Sequence, residues 1–258
     1  MRSVRGWIPA AAMLLAAGCG GAGDSASSGD RAGPGSATDT TMAGAARGSD
    51  AGSASARDSV SRARGPRVLF VGTSLTAGLG LATEDAYPAL LARRADSLGL
   101  DFEFVNAGLS GETSAGALRR IDWLLQQGKP AEVVVIETGA NDGLRGLDVD
   151  STRANLRRVV RKVKAALPSV RVLLAQMEAP PNLGPKYTEA FHAMYGDVAR
   201  EEGVTLMPFL LEGVAGVDSL NQGDGIHPNE AGERIVADNV WRLLEPMLRE
   251  LDPVAKLR

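Results

Sequence analysis

Cysteine is nearly missing from this sequence. The 258 residues include one, Cys19, so no internal disulfide can form. Aromatic residues make up only 4%, which gives no sign of a platform for stacking bases or sugar rings. Charge of either sign is not in excess. Lys and Arg number 28 against 31 Asp and Glu, a net charge of −3, and no basic run is long enough to form a face. Nucleic-acid binding therefore has no electrostatic support. Gly72, Gly78 and Gly80 do not fit the phosphate-cradling pattern G-x-G-x-x-G, and G-x-x-x-x-G-K-[ST], HExxH and paired CxxC are absent. G-x-S-x-G, the nucleophile elbow of the common α/β hydrolases, does not occur around Ser74. A metal site would have to be built from carboxylates and one histidine, and no spacing for one is present. Histidine occurs twice, at His192 and His227. With 44% hydrophobic and 23% charged residues, the composition suits one globular domain with extra segments.

Those extra segments lie at the N-terminus. Arg2 and Arg5 precede a short apolar stretch, GWIPAAAMLLAAG (6–18), too short to span a bilayer comfortably. It ends on small residues directly before Cys19. The run LAAGC (15–19) resembles a bacterial lipoprotein signal, in which such a cysteine becomes the lipid-modified first residue of the mature chain. Several acyl chains on one residue anchor stably where a single chain is marginal. A plain secretory signal with a chance cysteine is the alternative. Residues 20–65 are rich in Gly, Ala, Ser, Thr and Asp and have almost no large apolar side chains. Such a segment cannot bury enough surface to offset its ordering entropy, and it reads as a tether spanning roughly 35–40 Å. The expected organisation is a signal at 1–18, Cys19 and a tether to residue 65, a folded domain at 66–250 and a tail at 251–258. The protein is expected to be exported to the cell envelope and held to a membrane by lipid.

From Pro66 onward short apolar runs alternate with amphipathic stretches. Strands are expected at 67–71, 101–106, 132–137, 170–176 and 205–207, and helices at 85–98, 113–127, 151–167, 186–202 and 230–248. Leu90, Leu91 and Leu98 mark one face of the first helix. The run EVVVIE (132–137) is apolar enough to be a central strand buried on both faces. This alternation implies a parallel sheet with helices on both sides, and ligands then bind beyond the carboxyl ends of the strands.

The chemistry-bearing residues fall at those strand ends. Ser74 follows the first strand, and Gly111 lies in the loop after the second. Asn141 follows the third in GANDG, and DGIHP (224–228) precedes the last helix. Proline after His227 restricts its backbone and suits a helix's first turn, and Asp224 can then fold back to accept a hydrogen bond from the imidazole. Such an Asp selects the tautomer and stabilises an imidazolium. The amide side chain of Asn141, with the backbone N–H groups of Ser74 and Gly111, could face an oxyanion. Singly, each has a plainer reading: a turn serine, a turn glycine, a turn asparagine, a helix-capping Asp–His pair. His192, inside a helix, reads as a surface or core-edge histidine.

Taken in order, GTSLTAGLGL (72–81), VNAGLSGETS (105–114), ETGANDGLRG (137–146), PPNLGPKYTEAFHAMY (180–195) and DGIHPNEAG (224–232) resemble the SGNH hydrolases, also called the GDSL lipase/esterase family. The likeness is to its bacterial thioesterase/lysophospholipase/arylesterase branch. It implies a flavodoxin-like three-layer α/β/α sandwich on a five-stranded parallel sheet, with no metal and no organic cofactor. Ser74 then stands at the nucleophile position and Asp224 and His227 complete a triad. The Ser74 and Gly111 amides and Asn141 stand at the oxyanion positions. The substrates implied are small acyl esters or lysophospholipids, with thioesters possible, and a monomer is expected. A carbohydrate O-deacetylase and an inactive tethered binding protein are the alternatives. Two residues depart from the pattern. Thr73 stands where the family's GDSL block has Asp, a residue that helps to hold the oxyanion loops, and Ala140 replaces a Gly.

Overall fold

The computed structural model describes residues 65–252. The expected signal at 1–18, Cys19, the tether up to residue 64 and the tail from 253 lie outside the described residues.

Strands β1 (Arg67–Gly72), β2 (Glu103–Gly108), β3 (Ala131–Ile136), β4 (Arg171–Ala175) and β5 (Thr205–Met207) form one sheet in the order β2-β1-β3-β4-β5. All neighbouring pairs are parallel. Between and after them lie α1 (Ser74–Ala77), α2 (Tyr87–Ser97), α3 (Ser114–Leu125), α4 (Ala140–Leu144), α5 (Val149–Ala166), α6 (Pro185–Glu202) and α7 (Glu230–Leu251). Parallel crossovers are right-handed. That handedness puts α3, α5 and α6 side by side on one face and α2 with α7 on the other. The result is the expected three-layer α/β/α sandwich with flavodoxin-like strand order. Among the described residues no helix is long and apolar enough to cross a membrane.

The interior is built from strands buried on both faces. All of β1 is buried, and Val133 to Ile136 of β3 are at most 1% exposed. The VVVI run thus occupies the sheet centre, as its unbroken apolarity implies. Phe70 of β1 meets the Tyr87 ring edge-on at 5.8 Å and stacks on Phe104 at 5.9 Å, which locks α2 and β2 to the central strand. After β1 the chain crosses to β2 on one side, while β3 lies on the other. The carboxyl ends of β1 and β3 therefore flank the topological switch point, where open α/β sheets form their ligand crevice.

Several boundaries differ from the expected ones for local reasons. The first long helix begins at Tyr87 rather than 85, because Pro88 lacks an N–H and is tolerated only in a first turn. Residues Thr83–Asp85 form a separate 3₁₀ turn. Leu98 does not join the apolar face: the helix ends at Ser97 and Leu98 is 46% exposed. Its place in the core is taken by Leu100, beyond the turn at Gly99. Strand β2 is shifted to Glu103–Gly108 because Glu103 N–H bonds the Pro66 carbonyl and Gly108 pairs with Gly72. Helices α1 and α4 are too short for any periodic signal.

Gly108 shows how tightly the switch point is built. A Cβ there would lie 2.3 Å from the Ala77 nitrogen and 2.7 Å from its Cα, both backbone atoms of α1. Gly108→Ala must push α1 off the sheet edge. It is expected to cost about 1–3 kcal/mol, read as a lower urea midpoint at unchanged m-value.

Candidate active site

Ser74 is the first residue of α1 and follows the cap residue Thr73 at the end of β1. It is buried, with 8% of its surface exposed. Its Oγ lies 2.8 Å from His227 Nε2, across 153 residues of sequence. On the far side of the ring, His227 Nδ1 is 2.6 Å from Asp224 Oδ2. An ionised carboxylate only accepts, so Nδ1 carries the proton and Nε2 presents its lone pair to the serine hydroxyl.

Local sequence sets this geometry. Asp224 Oδ1 accepts the backbone N–H groups of Ile226 and His227 at 2.9 and 3.0 Å, and Gly225 turns the chain at φ +68°. Burial alone would raise the Asp224 carboxyl. The hydrogen bonds from the His227 ring and the two backbone N–H groups outweigh it and bring the carboxyl down to about 2. Pro228 lies before the helix cap rather than in the first turn as expected, and Asn229 caps α7 by accepting from the Ala231 and Gly232 N–H groups. Gln222 fastens this loop to the serine loop. Its N–H donates to the His227 carbonyl, and its Nε2 to the carbonyls of Leu79 and Pro228.

The two other candidate loops meet at Glu112. Asn141 Nδ2 donates one hydrogen to the Glu112 carbonyl at 3.0 Å, leaving its second N–H free to point elsewhere. Among the described residues no hydrogen bond from the Ser74 or Gly111 N–H competes for those donors. Gly111 adopts φ +76°, and its carbonyl accepts from Arg145. The Glu112 side chain, 4% exposed, is gripped by Arg120 through two bonds of 2.6 and 2.7 Å, and Arg120 also donates to the Gly72 carbonyl. Asp142 ties the Asn141 loop to α3 by accepting the N–H and hydroxyl of Ser114. Gly139 is at φ +103°, and a Cβ there would meet the Tyr195 hydroxyl at 2.3 Å. Ala140 begins α4 half-buried, a conformation that accepts a Cβ. An open groove lined in part by Leu109, Gly111, Arg119 and Arg145 runs along this side.

His192 is not part of this constellation. It is exposed on α6, with Nδ1 against Glu178 and Gln176. Among the described residues no cluster of three His, Cys, Asp or Glu could hold a metal ion.

Glu137 is the group that sequence reading missed. It follows β3 directly and is 0% exposed. Its carboxylate accepts the Thr73 N–H at 2.7 Å, the Thr73 hydroxyl at 3.0 Å and the Thr76 hydroxyl at 2.9 Å. Burial pushes it up to about 7 against the pull of those bonds. Glu233 of α7, also buried, accepts the Tyr87 N–H at 2.8 Å. Burial first, and then the charge of Glu137, push it up to about 8. The sign of a charge ending an apolar central run was visible in EVVVIE; its partners were not.

The profile of the GDSL-like Lipase/Acylhydrolase family matches residues 70–235. The chain is 47% identical over 181 residues to esterase TesA of Pseudomonas aeruginosa, covering 70% of this chain and 89% of that one. It is 40% identical over 181 residues to thioesterase 1/protease 1/lysophospholipase L1 of Escherichia coli, covering 70% and 84%. The crystal structure of the psychrotrophic esterase EstA from Pseudoalteromonas sp. superposes with a TM-score of 0.67 at 37% identity, over 71% of this chain and 98% of that one.

Both buried glutamates bind protons more tightly folded than unfolded. Their contribution is complete below about pH 4.5 and is lost as pH rises through about 7 and 8. Thermal stability is therefore expected to fall between pH 5 and pH 9, with each group contributing a slope of at most about 1.4 kcal/mol per pH unit. Glu233→Gln should flatten that fall, raising Tm at pH 9 more than at pH 5 in matched melts.

Proposed function

The chain belongs to the GDSL-like lipase/acylhydrolase family and is a carboxylic ester hydrolase; from that premise we propose that Ser74 is its nucleophile, His227 its general base and Asp224 the orienting carboxylate. The observation that carries this assignment is the unbroken line Asp224 Oδ2–His227–Ser74 Oγ at 2.6 and 2.8 Å. As Ser74 Oγ attacks the ester carbon, its proton passes to His227 Nε2. The negative charge left on the carbonyl oxygen is met by the Ser74 and Gly111 N–H groups and by the spare N–H of Asn141. Collapse of this adduct breaks the acyl–oxygen bond, and the leaving alcohol takes the proton from Nε2. A water molecule then gives its proton to Nε2 and attacks the acyl-enzyme. The second collapse returns that proton to Ser74 and frees the acid.

For substrate we propose acyl and aryl esters and lysophospholipids, with thioesters turned over as well. The names of the relatives support this range, and so does the groove beside Gly111. Arg119 and Arg145 there suit a phosphate on the leaving side, and Leu109 offers apolar contact. Residues 1–18 are proposed as a lipoprotein-type signal, Cys19 as the lipidated residue and the segment to residue 65 as a tether. The hydrolase domain at 66–250 would then work at the cell envelope as a monomer. A chain exported in this way meets lysophospholipids and esters but little acyl-CoA.

Ser74→Ala is expected to abolish p-nitrophenyl ester hydrolysis while the circular-dichroism spectrum stays native. Asn141→Ala should lower kcat by about 10²–10³-fold, or 2.7–4 kcal/mol of transition-state stabilisation. Asp224→Asn should lower it by about 10²–10⁴-fold through the wrong tautomer. Full activity in Ser74→Ala would overturn the assignment. In a series of p-nitrophenyl esters from acetyl to palmitoyl, kcat/KM is expected to peak at medium or long chains. A sharp acetyl optimum would point instead to O-deacetylation.

A further inference from the structure

We propose that Glu137 is the positioning residue of the serine loop, supplying from the end of β3 the carboxylate that Thr73 no longer brings to the GDSL block. The inference rests on Ser74 being the nucleophile.

The geometry brackets Ser74 on both sides. Thr73, just before it, gives Glu137 both its N–H and its hydroxyl, and Thr76, two residues after it, gives the same carboxylate its hydroxyl. The Thr73 carbonyl is held as well, by the Ala77 N–H at 3.0 Å. That carbonyl shares a peptide plane with the Ser74 N–H, so fixing one aims the other. Glu137 is itself fixed, its N–H bonded to the Val71 carbonyl at 2.8 Å. No slack remains at Gly72, where a Cβ would lie 1.9 Å from Thr76 Oγ1 and 2.7 Å from Glu137 Oε2. One carboxylate thus ties down the residues on both sides of the one that must attack and then hold an oxyanion.

This anchor depends on charge. An ionised Glu137 accepts all three bonds. The Tyr87 hydroxyl, kept protonated by burial and by the charge of Glu137, then donates to Thr76 Oγ1 at 2.8 Å. A protonated Glu137 has a hydrogen where it had a lone pair, so one of its hydroxyl partners must turn round. The groups facing it are Thr73 and Thr76 at α1, Tyr87 from α2, Glu233 from α7 and Tyr195 from α6. Among the described residues no cation pairs with it. With its carboxyl pushed up to about 7, the anchor changes state near neutrality.

Glu137→Gln keeps the volume and removes the charge. We expect kcat for a p-nitrophenyl ester to fall about 10- to 100-fold with KM within about twofold, the scale of a misaimed reacting group. Fluorophosphonate labelling of Ser74 should slow in parallel. The ionisation near pH 7 should leave the kcat–pH profile, and Tm at pH 8 should hold or rise because a buried charge is gone. Thr73→Val, which removes the hydroxyl donor and keeps the N–H, should move that ionisation to higher pH. A Glu137→Gln protein with wild-type kcat and pH profile would overturn the inference. So would an activity loss matched by a lower Tm, the mark of a merely structural role. A wild-type protein that takes no label overturns the serine-hydrolase reading and this inference with it. A labelled wild type beside an unaffected Glu137→Gln overturns this inference alone.

Discussion

A single buried carboxylate joins the two strands that flank the switch point. Strands β1 and β3 lie side by side, and each ends in a loop that must leave the sheet in its own direction. Glu137 spans that gap with hydrogen bonds alone, accepting an N–H and two hydroxyls from the β1 side. Burying an anion without a cation is costly, which is why its proton is held so firmly. Three donors offset part of that cost, and the dense interior that Phe70, Tyr87 and the β3 valines build around it adds to it.

The same device recurs around the site, each time with one acid holding backbone. Asp224 takes the N–H groups of Ile226 and His227, and Asp142 takes that of Ser114. Glu112 works from the other end, holding Arg120 against the Gly72 carbonyl. The three loops after β1, β2 and β3 are tied to one another by carboxylates rather than by apolar packing, and Gln222 joins the Asp224 loop to them. That suits a crevice that must stay open to water and substrate, where side chains cannot interlock as they do beneath the sheet. Precision comes from directional bonds, which fail abruptly when a donor or acceptor is lost.

This division explains what the sequence revealed. The sheet was legible because its signals are local. EVVVIE names the central strand, and Ser114 to Leu125 repeats its apolar residues at helical spacing. The candidate residues Ser74, Gly111, Asn141, Asp224 and His227 could be singled out because each follows or precedes an element in a short motif, and the fold brings Ser74, His227 and Asp224 into one line. Leu98 was misplaced because periodicity carries past a helix end that only Gly99 marks. Glu137 and Gln222 stayed hidden because their partners lie 64 and 143 residues away, and no local pattern records a long-range bond. Thr73, conspicuous as a departure, makes sense only beside Glu137.

The line from Asp224 to Ser74 is local at one end and remote at the other. Acid and imidazole sit three residues apart in a turn that can form by itself, whereas the serine is 153 residues upstream. During synthesis the serine emerges first, and a chain interrupted before residue 227 holds it with no partner. The line closes only when the loop before α7 has come back to the end of β1. The line is thus a mark of the finished fold, present only when the first strand's serine and the last loop's histidine have met.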